Sequence, residues 1–221
     1  MPITYKEILH NEQINALIEA GNAALQSMGF TEHGYSHAGM VAKWAGDLLV
    51  ALGYDERTCE LARIAGYMHD IGNSINRHDH ALTGATLAFS ILSSLGMEPA
   101  EVATIITAIG NHDEHASNAV SPLAAAIILA DKSDVRHSRV CCQPTDISFD
   151  IHDRVNYAVV KSVLDVNKED NLLSLRLTVD TAVCSVMDYF EIFLNRMLLC
   201  RDAAQFFKMR FALFINDTRM L

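Results

Sequence analysis

Five times between residues 37 and 131, a run of apolar residues at helical spacing begins or ends on a histidine or an aspartate. His37 heads a stripe of Val41, Trp44, Ala45, Leu48 and Leu52. The apolar stretch 61–68 delivers His69 and Asp70 side by side. His80 heads Gly84, Leu87, Ala88, Ile91 and Leu95, while Ile105, Ala108 and Ile109 lead to His112. Leu123, Ala124, Ile127 and Ile128 lead to Asp131. Apolar residues recurring every three to four positions mark the face of a helix that packs on a core. An imidazole or carboxylate at the end of each face is costly to bury alone and suits a divalent metal. Any one of the six taken singly is more simply a hydrogen-bonded core histidine or a helix cap. If the stripes share one core, however, all six side chains converge at its edge, and six coincidences would be needed to explain them otherwise.

The rest of the chain fits around these stripes. Residues 4–28 read as one helix with Ile8, Ile14, Leu17, Ile18, Ala24, Leu25 and Met28 on one face, and Gly29 stops it. A loop over 30–36 precedes His37, and Asp55-Glu56 opens the helix that ends at His69-Asp70, with Gly72 as its C-terminal stop. Residues 73–79 form a polar loop, Gly96 closes the helix headed by His80, and Pro99 fits the first turn of the next. Small Gly and Ala residues on the stripes predict close helix–helix approach.

From about residue 145 the period changes. Val155, Tyr157, Val159 and Lys161 alternate with other residues, and Leu173, Leu175, Leu177 and Val179 alternate with Ser174, Arg176, Thr178 and Asp180. A period of two predicts two strands, joined by the polar turn 167–171. Thr181 would cap a helix running to about Phe207, and Phe211, Leu213 and Ile215 predict a third short strand. The expected fold is therefore mainly α: a helical domain over 1–140, then an α+β appendage over 145–221 made of a β-hairpin, a helix and a short strand.

Composition narrows the function. Half of the 221 residues are hydrophobic and a fifth charged, as in soluble globular proteins. No stretch reaches the ~18 uninterrupted apolar residues of a membrane span, and the N-terminus lacks the layout of a signal peptide, so a cytoplasmic, membrane-independent protein is expected. Cys59, Cys141, Cys142, Cys184 and Cys200 are odd in number and contain no Cys-x-x-Cys, which predicts reduced, mostly buried thiols. A net charge of −10 argues against a nucleic-acid polymer as partner. The same charge means that an anionic substrate needs local positive charge, which bound metal cations would supply. No Gly-x-Ser-x-Gly, Gly-x-Gly-x-x-Gly or P-loop occurs.

The order His37…His69-Asp70…Asp131 resembles the signature of the HD-domain metal-dependent phosphohydrolase superfamily, over roughly residues 30–140. That likeness implies an HD-type helical bundle in which His37, His69, Asp70 and Asp131 hold one metal. His80 and His112 are similar to the further ligands of dinuclear members, with Asp70 bridging both metals and serving as the candidate catalytic residue. Imidazole and carboxylate donors suit Fe, Mn, Co, Ni or Zn, and the residues do not select one or two ions among them. Lys132 and Arg136 are the candidate substrate-binding residues; Arg139 reads equally well as surface charge. Asp113, Glu114 and His115 are candidates for supporting the ligands or moving protons, or are solvated loop residues. Two departures stand out. Many relatives carry lysine where this chain has Asn73. The cyclic-dinucleotide phosphodiesterases of the superfamily carry a second histidine in place of Asp113, and a Gly-Tyr-Pro absent here. The compact spacing is more similar to bacterial diadenosine tetraphosphate hydrolases.

The leading expectation is thus hydrolysis of a phosphate ester or anhydride of a nucleotide or other small molecule by a metal-bound hydroxide. A di-iron oxygenase of the same ligand order, acting on a small organic substrate, is the alternative. A non-catalytic module that dimerises through its C-terminal segment is the second alternative.

Overall fold

A computed structural model describes residues 2–114, 119–140 and 151–221. Among the described residues seven helices come first: α1 (Tyr5–Leu9), α2 (Glu12–Ser27), α3 (Tyr35–Leu52), α4 (Glu56–Met68), α5 (His80–Ser94), α6 (Pro99–Gly110) and α7 (Pro122–Ser133). A short 3-10 turn, Ile71–Ser74, links α4 toward α5. Then follow α8 (Ile151–Ala158), β1 (Val159–Asn167), β2 (Leu172–Val179), α9 (Val186–Phe206), β3 (Arg210–Ile215) and β4 (Thr218–Arg219). This is the helical bundle with a small C-terminal α+β segment that the periodicities predict.

Local chemistry sets the boundaries. The single helix expected over 4–28 is two, because the Asn11 side chain accepts the Ile14 N–H and restarts the helix. Asp55 and Ser121 cap α4 and α7 in the same way. Gly29 and Gly96 end their helices with positive φ, as read from the sequence. Gly72 does not. Helix α4 ends at Met68 with His69 as its cap. What Gly72 supplies is space: a Cβ there would lie 2.0 Å from the His80 carbonyl oxygen and 2.6 Å from the Gly84 nitrogen. Only a residue without a side chain lets the turn after Asp70 lie directly on the backbone of α5. Gly66 does the same between α4 and α3, where a Cβ would come 2.9 Å from Ala42 Cα.

The C-terminal segment differs in detail. The alternation starting at Val155 marks a strand only from Val159; residues 151–158 are helical, and Val155, Ala158 and Val159 are buried at the i, i+3, i+4 spacing of a helix face. Ser185, not Thr181, caps α9, through a capping box with Asp188. The hairpin β1–β2 forms across the expected turn, and β3 joins β2 in parallel with Leu173 opposite Phe211 and Leu175 opposite Leu213. The sheet order is β1-β2-β3-β4, the last a two-residue strand. Helix α9 is the crossover between β2 and β3, and it buries Tyr189, Phe193, Met197 and Cys200, packing against α7. Strand β1 reaches the bundle too, with the Ser162 hydroxyl donating to the Ser133 carbonyl at 2.7 Å.

Cys59, Cys184 and Cys200 are free thiols in the interior, while Cys141 and Cys142 lie outside the described residues. No helix among the described residues is long and apolar enough to cross a membrane.

The close approach at Gly66 gives a direct stability test. Gly66→Ala should destabilise the protein by about 1–3 kcal/mol, the usual cost of overpacking. For a chain of this size that lowers the thermal midpoint by roughly 2–12 °C. An unchanged melting curve would mean that α3 and α4 separate at no cost.

Candidate metal centre

Four histidines point the same atom at one place. His37 Nδ1 donates to Asp134 Oδ2 at 2.8 Å, His69 Nδ1 to the Gly66 carbonyl at 2.8 Å, His80 Nδ1 to the Arg77 carbonyl at 3.0 Å, and His112 Nδ1 to the Ile109 carbonyl at 2.6 Å. A carbonyl or carboxylate oxygen only accepts, so each Nδ1 carries the proton. In the neutral ring the lone pair is then on Nε2. For His69 and His112 the acceptor lies three residues back in the same chain turn, so the end of the helix orients its own ligand.

The Nε2 atoms gather around Asp70. Asp70 Oδ2 is 3.4 Å from His69 Nε2 and 3.8 Å from His37 Nε2. Its other oxygen, Oδ1, is 3.3 Å from His80 Nε2 and 3.8 Å from His112 Nε2. Asp131 Oδ1 completes the first side, 3.3 Å from His37 Nε2 and 3.9 Å from His69 Nε2. All six sequence-selected residues therefore meet, and they form three overlapping groups able to hold a metal ion: His37–His69–Asp70, His69–His112–Asp131 and Asp70–His80–His112.

The donors fit a cation better than they fit one another. The Nε2 atoms of His37 and His69 are buried without a hydrogen-bond partner, a costly state for a polar atom. Most of the N···O separations are too long for good hydrogen bonds. They are near the ~3.0–3.4 Å expected of two donors each ~2.1 Å from one ion.

Electrostatics keeps the two carboxylates and His80 in ligand form. At His69 burial would lower the ring's proton affinity, but the charges of Asp70 and Asp131 reverse this and raise it. Burial alone would raise the Asp70 carboxyl, but the facing rings of His69, His112 and His80 hold it well below the ordinary carboxylate range. Burial likewise opposes ionisation of Asp131, and the neighbouring Lys132 ammonium outweighs it. Burial drives His80 down to about 4 against the pull of Asp70, which leaves its ring neutral at physiological pH.

Two further residues complete the centre: Asp134, which the sequence did not single out, and Asn73, which stood out there only as a departure from lysine-bearing relatives. Asp134 is fully buried; its carboxylate accepts from His37 Nδ1, and Arg136 Nη2 donates to it at 3.0 Å. Burial raises the Asp134 carboxyl, and these partners reverse the balance so that it stays ionised. Its signal was available, since Asp134 lies three residues after Asp131 on the same helix end. Asn73 is buried, and its side-chain amide donates to Asp70 Oδ1 at 2.8 Å.

Lys132 lines the cavity beside the ligands, with Nζ 2.7 Å from Asp131 Oδ2. Arg136 is not: its guanidinium is turned to Asp134, behind His37, because a buried carboxylate holds it there. Arg139 is buried, donating to the Glu32 and Asp134 carbonyls, so surface charge is not its role. Asp113 Oδ1 lies 3.9 Å from His80 Nε2, and Glu114 accepts from Arg196 Nε at 2.7 Å. His115 lies outside the described residues.

A cavity of about 280 Å³ opens on the centre. Asp70, His80 and Asp131 line it on the metal-ligand side, with Arg77, Lys132, Arg139 and Arg196 around the rest and Phe30 and Phe193 among its walls. Arg196 and Phe193 come from α9, so the C-terminal segment contributes to the wall.

An HD domain is detected over residues 34–136, the stretch that carries all six residues. Members of that family are in general metal-dependent phosphohydrolases. An uncharacterized protein of Methanocaldococcus jannaschii is 28% identical over 170 residues, which span 67% of this chain and 65% of that one. Ribonuclease Y of Oceanobacillus iheyensis is 35% identical over 99 residues, 44% of this chain and 18% of that enzyme. The chain thus matches somewhat less than two thirds of the first relative and under a fifth of the second.

Two outcomes follow from this geometry. Asp134→Ala should weaken metal affinity by about 10- to 100-fold, the usual effect of losing the partner that orients a ligating imidazole. Titration of metal into the folded variant reads this, and unchanged affinity would leave Asp134 a purely structural residue. The second outcome concerns pH. His80 binds a proton near pH 6.5 when unfolded but only near 4 when folded, so between those values the unfolded state holds the extra proton and stability falls as pH falls. Urea denaturation of metal-free protein should lose less stability from pH 6.5 to 4.5 in His80→Gln than in wild type. A difference on the order of 2 kcal/mol is expected over that window.

Proposed function

We propose that this protein is a divalent-metal-dependent phosphohydrolase whose substrate is a small phosphorylated molecule, with a nucleotide as the leading class. The observation that carries the reading is the convergence of four histidine Nε2 atoms on the two oxygens of Asp70, beside a cavity lined by four cationic side chains. In this reading His37, His69, Asp70 and Asp131 hold one metal, and Asp70, His80 and His112 a second. A divalent metal bound there would supply Lewis acidity, lowering the pKa of a coordinated water toward neutrality and offsetting charge on phosphate oxygens.

The chain's own residues do the rest. Asp70 presents one oxygen to each pair of histidines, and the Asn73 amide holds the carboxylate in that orientation. Asp134 fixes the His37 ring, and Arg136 keeps Asp134 ionised. Lys132 places a positive charge against Asp131 at the cavity wall, which favours an anionic substrate in a chain of net charge −10. The cavity is at the small end of ligand pockets, and it is of a size for a mononucleotide rather than a polymer. One relative bears the name of a ribonuclease; the small size of the cavity and the negative net charge favour a small substrate over RNA for this chain.

His69→Ala and Asp70→Ala should each abolish phosphate release and deplete bound metal while the helical circular-dichroism signal persists. The measurement pairs elemental analysis with a phosphate-release screen over mononucleotides, dinucleoside polyphosphates and cyclic dinucleotides. Full turnover by either variant would overturn the site. Iron with O₂ consumption, and no phosphate released from any ester, would replace hydrolysis by oxygenation.

A further inference from the structure

The four cations around the cavity are not equivalent. Lys132 is paired with Asp131 at 2.7 Å and Arg196 with Glu114 at 2.7 Å. Arg139 is buried and donates to two backbone carbonyls. Arg77 lines the same cavity, yet it makes no ion pair with a carboxylate among the described residues. Its Nη1 reaches only neutral acceptors, Asn73 Oδ1 and His80 Nε2, each at a long 3.4 Å. The guanidinium is held over the Phe30 ring, with Cζ 5.6 Å from the centroid.

We infer that Arg77 is the substrate-binding cation of this centre, gripping a non-bridging oxygen pair of the phosphate beside His80. The inference rests on the phosphohydrolase reading for its ligand and on the structure for its residue. A guanidinium presents a planar fork of donors that matches two oxygens of one phosphate. Here the fork is unneutralised, at the cavity wall, and one residue turn from the ligands. Its backbone is fixed as well, since the Arg77 carbonyl accepts the His80 Nδ1 proton. The contact to His80 Nε2 does not compete with this role, because a ring nitrogen committed to a metal no longer accepts from Arg77. The guanidinium then keeps Asn73 Oδ1 and has its remaining donors for an anion. Asn73 thereby serves two partners, donating to Asp70 Oδ1 and accepting from Arg77, so ligand and phosphate-binding cation are set by one buried amide. Arg136, the arginine that the sequence suggested for this task, is occupied by Asp134.

The test uses the Mn²⁺-loaded full chain with inorganic phosphate as probe, and p-nitrophenyl phosphate and bis(p-nitrophenyl) phosphate as generic esters. Arg77→Met keeps the apolar stem on Phe30, Arg77→Ala removes it, and Arg77→Lys keeps the charge without the fork. The Met and Ala variants should bind phosphate about 10- to 100-fold more weakly by titration calorimetry, the cost of a lost charged hydrogen-bonding pair. Their metal content should equal that of wild type. Arg77→Lys should fall between, and guanidinium ion added to Arg77→Ala should restore part of the phosphate affinity. Wild-type phosphate affinity in Arg77→Met overturns the assignment, as does lost metal with phosphate affinity unchanged at saturating Mn²⁺. If wild type binds phosphate through Arg77 but hydrolyses neither ester nor any nucleotide, the hydrolase reading fails while the anion site stands.

Discussion

One carboxylate organises this protein. Asp70 sits between two pairs of imidazoles, with a different oxygen turned to each, at the point where α4 runs into α5. Such a group is stable only if something compensates its desolvation. The surrounding rings do so in part, holding the carboxyl far below its ordinary range. A bound cation would do so more completely, since it also satisfies the orphaned Nε2 atoms of His37 and His69.

The fold exists in a form that lets those groups meet. His37, His80 and Asp131 lie in α3, α5 and α7 and His69 and His112 just past the ends of α4 and α6, and helices carry side chains that normally keep their axes 8–10 Å apart. Here glycines remove the obstruction: Gly66 lets α4 settle on α3, and Gly72 and Gly84 let the turn after Asp70 rest on α5. Orientation is then local. The rings of His69 and His112 are steered by carbonyls of their own terminal turns, and only His37 needs a partner from elsewhere, Asp134, 97 positions away in the chain. That difference makes the His37 side of the centre the more dependent on tertiary packing.

Charge is distributed with the same economy. In a chain of net charge −10, four cationic side chains face one cavity. Lys132, Arg196 and Arg139 are engaged by Asp131, Glu114 and backbone carbonyls, which fixes the walls. The exposed Phe30 ring holds the remaining guanidinium at the rim. The C-terminal segment enters here as well: α9 packs on α7 and brings Arg196 and Phe193 to the cavity.

The helical stripes and the residues at their ends were readable from sequence because both are local. A period of three to four names the buried face, and a polar residue at its end either caps the helix or joins a shared site. The period-two runs named β2 and β3 for the same reason. Where two periods coincide, as at Val155 and Val159, the sequence alone could not separate helix from strand. Nor could it assign the arginines. Arg136 and Arg77 are equally charged, and each stands within five residues of a ligand. Only the folded chain decides that a buried Asp134 claims the first and that no carboxylate among the described residues claims the second. The sequence by itself determined which side chains can ligate and on which helix ends they stand. The tertiary structure decided which atom of each faces the centre and which cation is left for an anion, because hydrogen-bond partners far apart in the chain meet only when it folds.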